Sequence, residues 1–264
     1  MDASSSVAQH YLGVWQRKYL ETPAAVDNSS RVYWLQTSLF HADIRIPAHR
    51  PAFSDKNSLQ DFSLDEFKLL ASQQGFAGTT SVIGNCCLWA RQIDYQPPRD
   101  RHDIGFMQFN GDRILETGVD GNYAEIWERL PDSQGRNFAS RFIETNTAVG
   151  PEKPQAGIFV TSGDYFIFAR ARASVLPETP SLAAMVNEAD INRHQLIELL
   201  DFEISFGRRA QGSIPWEIQL STLPFREGRP LFTEADWAAL SQATSEYVQR
   251  EQAWNGMLVR RWLT

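Results

Sequence analysis

The sequence predicts a mainly β protein whose first half is an up-and-down antiparallel barrel. Apolar and polar residues alternate through most of positions 14–130, the period of a strand with two different faces. Turn signals fall between the alternating segments: Gly84, Asn110-Gly111 and Asp120-Gly121. One stretch of this half, FSLDEFKLLASQQG, switches to the helical period. About eight short strands in hairpin order with a single helix describe a barrel, not alternating βαβ units.

Taken in order, residues 14–20, 31–37 and 39–46 are rich in β-branched and aromatic side chains, and Pro47 and Pro51 end the third strand. In the helix, Leu64, Phe67, Leu70 and Ala71 recur at three and four, Ser63 and Glu66 make a capping box, and Gly75 marks the stop. Residues 76–83 and 85–95 form a hairpin about Gly84, 104–109 and 113–117 a second, and 122–130 the last strand of the half. PDSQGRN, residues 131–137, reads as a linker between domains at 1–132 and 133–264. Beyond it, strands are expected at 138–146, 157–162, 165–173, 202–208, 215–222 and 251–263. SLAAMVNEADI, running on toward Leu199, and TEADWAALSQA are expected helices. Both halves share the order strands, helix, strands. Two barrels side by side fit this order, as does one large decorated barrel.

Composition excludes several function classes. The net charge of −7 lacks a basic footprint for nucleic acid. No apolar run reaches the length of a membrane span, and MDASSSVAQH lacks the pattern of a signal peptide. Cys86 and Cys87 are adjacent, and neighbours in a strand point apart, so two reduced thiols in a cytoplasmic protein are expected. The five histidines show no HxH, HxxxH or HExxH spacing, and no phosphate loop or GxSxG is present. No metal and no cofactor is therefore expected.

If Trp15 points into a barrel, the period of two brings Arg17 and Tyr19 with it. The same rule aligns Val32, Trp34 and Gln36; Trp89, Arg91, Ile93 and Tyr95; and Tyr123, Glu125, Trp127 and Arg129. A dry core does not accept Arg17, Arg91 and Glu125, because an unpaired buried charge costs several kcal/mol. A wet cavity around an amphipathic ligand accepts them. Surface exposure, or internal pairing of the arginines with Glu125, is the alternative. A second polar set, His41, Asp43 and Arg45 in HADIRIP with Asp94, Arg99, Arg101, His102 and Asp103 in RQIDYQPPRDRHDIGF, could do acid–base work. A solvent face on an edge strand and a charged loop explain it more simply.

The opening Gly13-x-Trp15, with Arg129 near the end of the half's last strand, resembles the lipocalins. There such a Trp lies across the closed end of the barrel against an Arg from the last strand. Phe76-Ala77-Gly78-Thr79, the strand end at 94–98, Glu116-Thr117-Gly118, Glu125-Ile126-Trp127 and Ser205-Phe206-Gly207 are similar to the fungal Hri-type proteins. That resemblance implies two tandem antiparallel lipocalin-like β-barrels, each with a short helix, and no reaction. The expected function is non-catalytic binding of a small amphipathic or acidic ligand by Arg17, Trp34, Gln36, Trp89, Arg91, Tyr123, Glu125 and Trp127. Gly13, Trp15 and Arg129 are structural in this reading, in a monomer or homodimer. The alternatives are a cofactor-independent isomerase, cyclase or hydrolase using His102, Asp94, Asp43 and Arg45, and a protein-interaction module with filled barrels.

Overall fold

The computed structural model describes residues 7–98, 102–144, 155–188, 190–209, 214–232 and 254–258. The first half supplies strands β1 (Gly13–Glu21), β2 (Val26–Asp27), β3 (Arg31–Gln36), β4 (Phe40–Ile46), β5 (Gln74–Ile83), β6 (Cys86–Asp94), β7 (Asp103–Asn110), β8 (Arg113–Gly118) and β9 (Ala124–Arg129), with helix α1 (Leu64–Ala71) between β4 and β5. The second supplies β10 (Asn137–Glu144), β11 (Gln155–Ser162), β12 (Tyr165–Arg170), α2 (Leu182–Val186), α3 (Arg193–Leu200), β13 (Glu203–Arg208), β14 (Glu217–Ser221) and β15 (Trp254–Leu258).

Strands β1 and β3 to β9 pair antiparallel in chain order, and β9 returns to β1 with Arg129 opposite Trp15. The result is a closed eight-stranded barrel, and the two-residue β2 extends the end of β1. The second sheet runs β14-β13-β12-β11-β10-β15, antiparallel except for β10 and β15, which are parallel. Its outer strands β14 and β15 do not pair with each other among the described residues, so the described structure is one closed barrel and one six-stranded sheet. The expected segment at 138–146 begins one residue earlier, as β10, and the helix expected at TEADWAALSQA lies outside the described residues.

Local chemistry explains the elements. Ser63 and Glu66 form the expected reciprocal cap on α1. The single helical segment expected after 180 is instead two helices, because Asn192 and Gln195 build a second capping box that starts α3 afresh. Gly84 and Gly111 begin their two-residue hairpin loops at φ +60°, where a side chain would be strained.

Two bulges shape the barrel. The register of β1 against β9 shifts between Arg17 and Tyr19, and that of β5 against β6 shifts between Ala77 and Gly78. At the second, a Cβ on Gly78 would stand 1.9 Å from the Ala90 carbonyl oxygen, so only glycine allows the approach. Each bulge inserts a residue, Lys18 or Gln92, and reverses the face of those that follow. Tyr19 is therefore not inside the barrel: its hydroxyl donates to Glu21 on the outer surface, while Leu20 lines the interior. Ile93 and Tyr95 likewise leave the interior and join the core outside it.

That outer core is shared. Phe40, Ala42, Ile44 and Ile46 on the outside of β4 pack with Ile158, Val160, Ile167 and Ile204 of the second sheet. Tyr33 stacks on Phe206 with ring centroids 4.2 Å apart, and Phe67, Leu70, Leu182, Val186 and Leu196 of the three helices close the side. The barrel has its own second core, described next, and the far face of the second sheet a third around Phe159, Phe166 and Trp216.

Candidate functional site

One end of the barrel is closed by the side chains the sequence singled out. Gly13 sits at φ +126°, and a Cβ there would lie 3.2 Å from Arg129 Nη1 and 3.1 Å from Ser133 Oγ. The Arg129 guanidinium lies over Trp15, 4.0 Å from its ring centroid. It also donates to the carbonyls of Leu12 and His10 and to Asp112. Trp15 Nε1 donates to the Tyr11 carbonyl, and Phe109 meets Trp15 edge-on. This is a plug with every polar atom of the two large side chains engaged.

Level with Gly13 along the paired strands is a buried polar layer. Thr80 Oγ1 and Trp34 Nε1 both donate to Gln36 Oε1, and Gln36 Nε2 donates to the carbonyls of Thr37 and Phe40. His41 Nδ1 lies 3.0 Å from Thr80 Oγ1; since that hydroxyl donates to Gln36, Nδ1 carries the proton. His41 Nε2 is buried without a hydrogen-bond partner, and burial drives the imidazole pKa down to about 3. The ring is neutral.

The other end is open, with a recess of about 260 Å³. Trp34, Trp89 and Trp127 form its floor, Trp34 meeting each of the other two edge-on at centroid distances of 5.5 and 5.9 Å. Charged side chains form its wall. Arg17 bridges Asp27 (2.6 Å) and Glu125 (2.9 Å), and Arg45 holds Asp43 at 2.8 Å with Glu125 at 3.7 Å. Arg91 reaches Asp103 at 2.6 Å and Asp94 at 3.0 Å, with its Cζ over the Phe76 ring, 3.6 Å from the centroid.

Glu116 is different. Its carboxyl accepts from the Tyr123 hydroxyl (2.8 Å) and from Trp127 Nε1 (2.9 Å), neither of them charged. Gly105 makes room for it, since a Cβ there would stand 2.8 Å from Glu116 Oε1. Burial, reinforced by the Glu125 carboxylate across the β8–β9 ladder, raises its pKa to about 8. The Tyr123 phenol is also pushed up, by burial and then by Glu116.

Of the predicted ligand residues, Trp34, Trp89, Arg91, Tyr123, Glu125 and Trp127 line the recess. Gln36 lies in the polar layer with its amide saturated, and Arg17 stands behind Glu125. The acid–base candidates do not converge. Asp43 and Arg45 line the barrel recess, whereas His102 is exposed on a neighbouring cleft of about 710 Å³ with Asp94, Arg172 and Phe202; the two share Trp89, Arg91, Asp103 and Tyr123 as a common wall. Arg99 and Arg101 lie outside the described residues.

The HADIRIP polar face is not a solvent face. Strand β4 is hydrogen-bonded on both sides, to β3 and β5, and its apolar face is taken by the second sheet. Its polar set can only face the barrel interior, where His41 and Asp43 are buried. Sequence reasoning missed Glu116 as a site residue. The available signal was a glutamate two positions from Ile114 on the inward face of β8, opposite a strand with Gly105. Cys86 and Cys87 are free thiols, and burial pushes the Cys87 thiol up. Among the described residues no cluster of His, Cys, Asp or Glu could hold a metal ion, and no helix is long and apolar enough to cross a membrane.

No protein-family profile matches the chain, and no curated protein matches it. Among solved structures it is similar to the crystal structure of an uncharacterized protein, YLR301w, from Saccharomyces cerevisiae. The identity is 12%, the TM-score 0.44, and the match covers 79% of this chain and 84% of the yeast chain.

Proposed function

We propose that this chain is a non-catalytic binder of a small amphipathic molecule, held at the open mouth of a lipocalin-like barrel. The recess supports the reading: an aromatic floor of three indoles under a charged wall, with the opposite end of the barrel plugged. The floor offers an apolar surface, and the wall fixes orientation through few polar contacts. An acidic head group, the other expected class, would have to displace a carboxylate from Arg45 or Arg91, so the amphipathic class is favoured. The separation of His102 from Asp43 and Arg45 argues for binding without catalysis. Within this reading the antiparallel run β10 to β14 is the counterpart of a second barrel in an Hri-type layout.

The test is extraction of protein purified from its own host, with mass spectrometry of the extract. A tryptophan-fluorescence titration against fatty acids, haem and small aromatic compounds accompanies it. A stoichiometric small molecule, or saturable quenching by one probe class, is expected. An empty extract together with no fluorescence change across the panel refutes binding.

A further inference from the structure

The charge around the recess does not balance. Asp27, Asp43, Asp94, Asp103, Glu116 and Glu125 face three guanidiniums, Arg17, Arg45 and Arg91, and each guanidinium already holds a carboxylate at 2.6–2.9 Å. Among the described residues Glu116 forms no ion pair; Arg45 acts on it only at longer range, and its carboxyl rests on two uncharged donors. A low-dielectric pocket with more carboxylates than cations stabilises an incoming positive charge and rejects a negative one.

The aromatic floor shows the same vacancy independently. Phe76 already carries Arg91 on its face, with Arg45 at 5.3 Å, and Trp15 carries Arg129. Among the described residues no Lys or Arg stands over Trp34, Trp89 or Trp127. Indole is the strongest of the aromatic faces for a cation, and Trp34 meets Trp89 and Trp127 edge-on, at 83° and 72°, beside the one recess that all three line.

Resting on the binding function proposed above, we infer that the ligand is a small organic ammonium. Its charged nitrogen sits between Glu116, Asp103 and Glu125, and its apolar part lies on the indoles of Trp34, Trp89 and Trp127. The recess of about 260 Å³ is at the small end of ligand sites, which run from roughly 300 to 1,000 Å³, and suits one ring and a short chain. The raised affinity of Glu116 for its proton agrees with the geometry, since the carboxyl stays neutral while no cation is present.

Three probes of nearly one shape separate charge from fit: 2-phenylethylammonium, 2-phenylethanol and phenylacetate, each titrated against intrinsic tryptophan fluorescence. The ammonium is expected to bind about tenfold tighter than the alcohol, and phenylacetate more weakly than either. Glu116→Gln should remove about tenfold of the ammonium affinity while leaving the alcohol unchanged. If that variant loses its native circular dichroism, Asp103→Asn at the rim is titrated instead, with the same split expected. Equal affinity for ammonium and alcohol, tighter binding of phenylacetate, or a variant that weakens all probes alike overturns the cation and leaves the binding function standing. No response to these three with response elsewhere in the wider panel also overturns the cation alone. No response to any compound removes both.

Discussion

Arg129 and Trp15, 114 positions apart in the chain, are cross-strand neighbours whose guanidinium and indole stack 4.0 Å apart. The contact joins the first and last strands of the barrel, so it is at once the plug and the seam. Arg129→Met removes the cation–π contact and three donated hydrogen bonds, leaving the Leu12 and His10 carbonyls unpaired. The expected loss is about 2–4 kcal/mol, read from the midpoint of denaturant unfolding. Arg129→Lys should recover less than half of it, because an ammonium cannot stack flat and reach both carbonyls.

Gly13 stands beside the same seam. Gly13→Ala must place a Cβ at φ +126° against Ser133 and Arg129, so a loss of about 1–3 kcal/mol is expected despite the small side chain. Gly84→Ala, at φ +60° in open space, should cost less; equal losses in the two variants would contradict the role given to Gly13.

Two buried groups give stability opposite pH dependences. His41 has its pKa lowered from 6.5 to about 3, so below pH 6.5 the unfolded chain binds a proton that the folded chain refuses. Stability then falls toward acid. Glu116 has its pKa raised from 4.5 to about 8, so above pH 4.5 the unfolded chain releases a proton that the folded chain keeps. Stability then falls toward base, up to about pH 8. Each group contributes a slope of up to about 1.4 kcal/mol per pH unit. Between pH 4.5 and 6.5 the two cancel, and a plateau is expected there, declining on both sides. Asp27, which burial alone would raise but which the Ser30 and Ser29 amides and Arg17 hold down to about 2, steepens the acid limb. Denaturation midpoints from pH 3 to 9 would show the plateau; Glu116→Gln should flatten the alkaline side and, with the His41 slope no longer offset, turn the plateau into a continued rise up to about pH 6.5.

Arg50 ties the two sheets together. Its side chain is buried and donates to Gln73 Oε1 (3.2 Å), the Ser221 carbonyl (2.8 Å) and Glu227. Arg50→Ala leaves Glu227 with the Ser221 amide but no cation, and removes a donor from the Ser221 carbonyl and from Gln73; a loss of about 3 kcal/mol is expected. Since the contact spans both sheets, fluorescence and circular dichroism should shift together by the same amount. A shift in one probe alone would show that the sheets unfold separately.

Much of the barrel was legible in the sequence because hairpin order and turn residues are local. The contact of Arg129 with Trp15 was legible only through the resemblance of Gly13-x-Trp15 and Arg129 to the closed end of a lipocalin. The bulges were not. Nothing in the strings around Lys18 or Gln92 announces an extra residue, since the bulge at Gln92 depends on Ala90 reaching Gly78 on another strand. The period of two therefore failed past each of them, at Tyr19, Ile93 and Tyr95. The polar face of β4 was misread for a different reason. A polar barrel interior and a solvent face have the same alternation, and only the neighbouring strands and the second sheet decide between them. Glu116 was illegible because its importance lies in its partners, two uncharged donors in place of an ion pair.

The shared core makes the barrel wall unequal around its circumference. Strands β3 and β4 are covered on both faces, while β7 and β8 expose Phe106 and Leu115 to water. Opening motions should therefore be concentrated in one arc: backbone amides of β3 and β4 exchange most slowly with solvent, those of β7 and β8 soonest. Glu116 and Asp103 ride on the yielding arc, Asp43 and Arg45 on the fixed one. A molecule entering the mouth would then pass a wall that yields on one side only, the side that carries the carboxyl proposed to meet a cation.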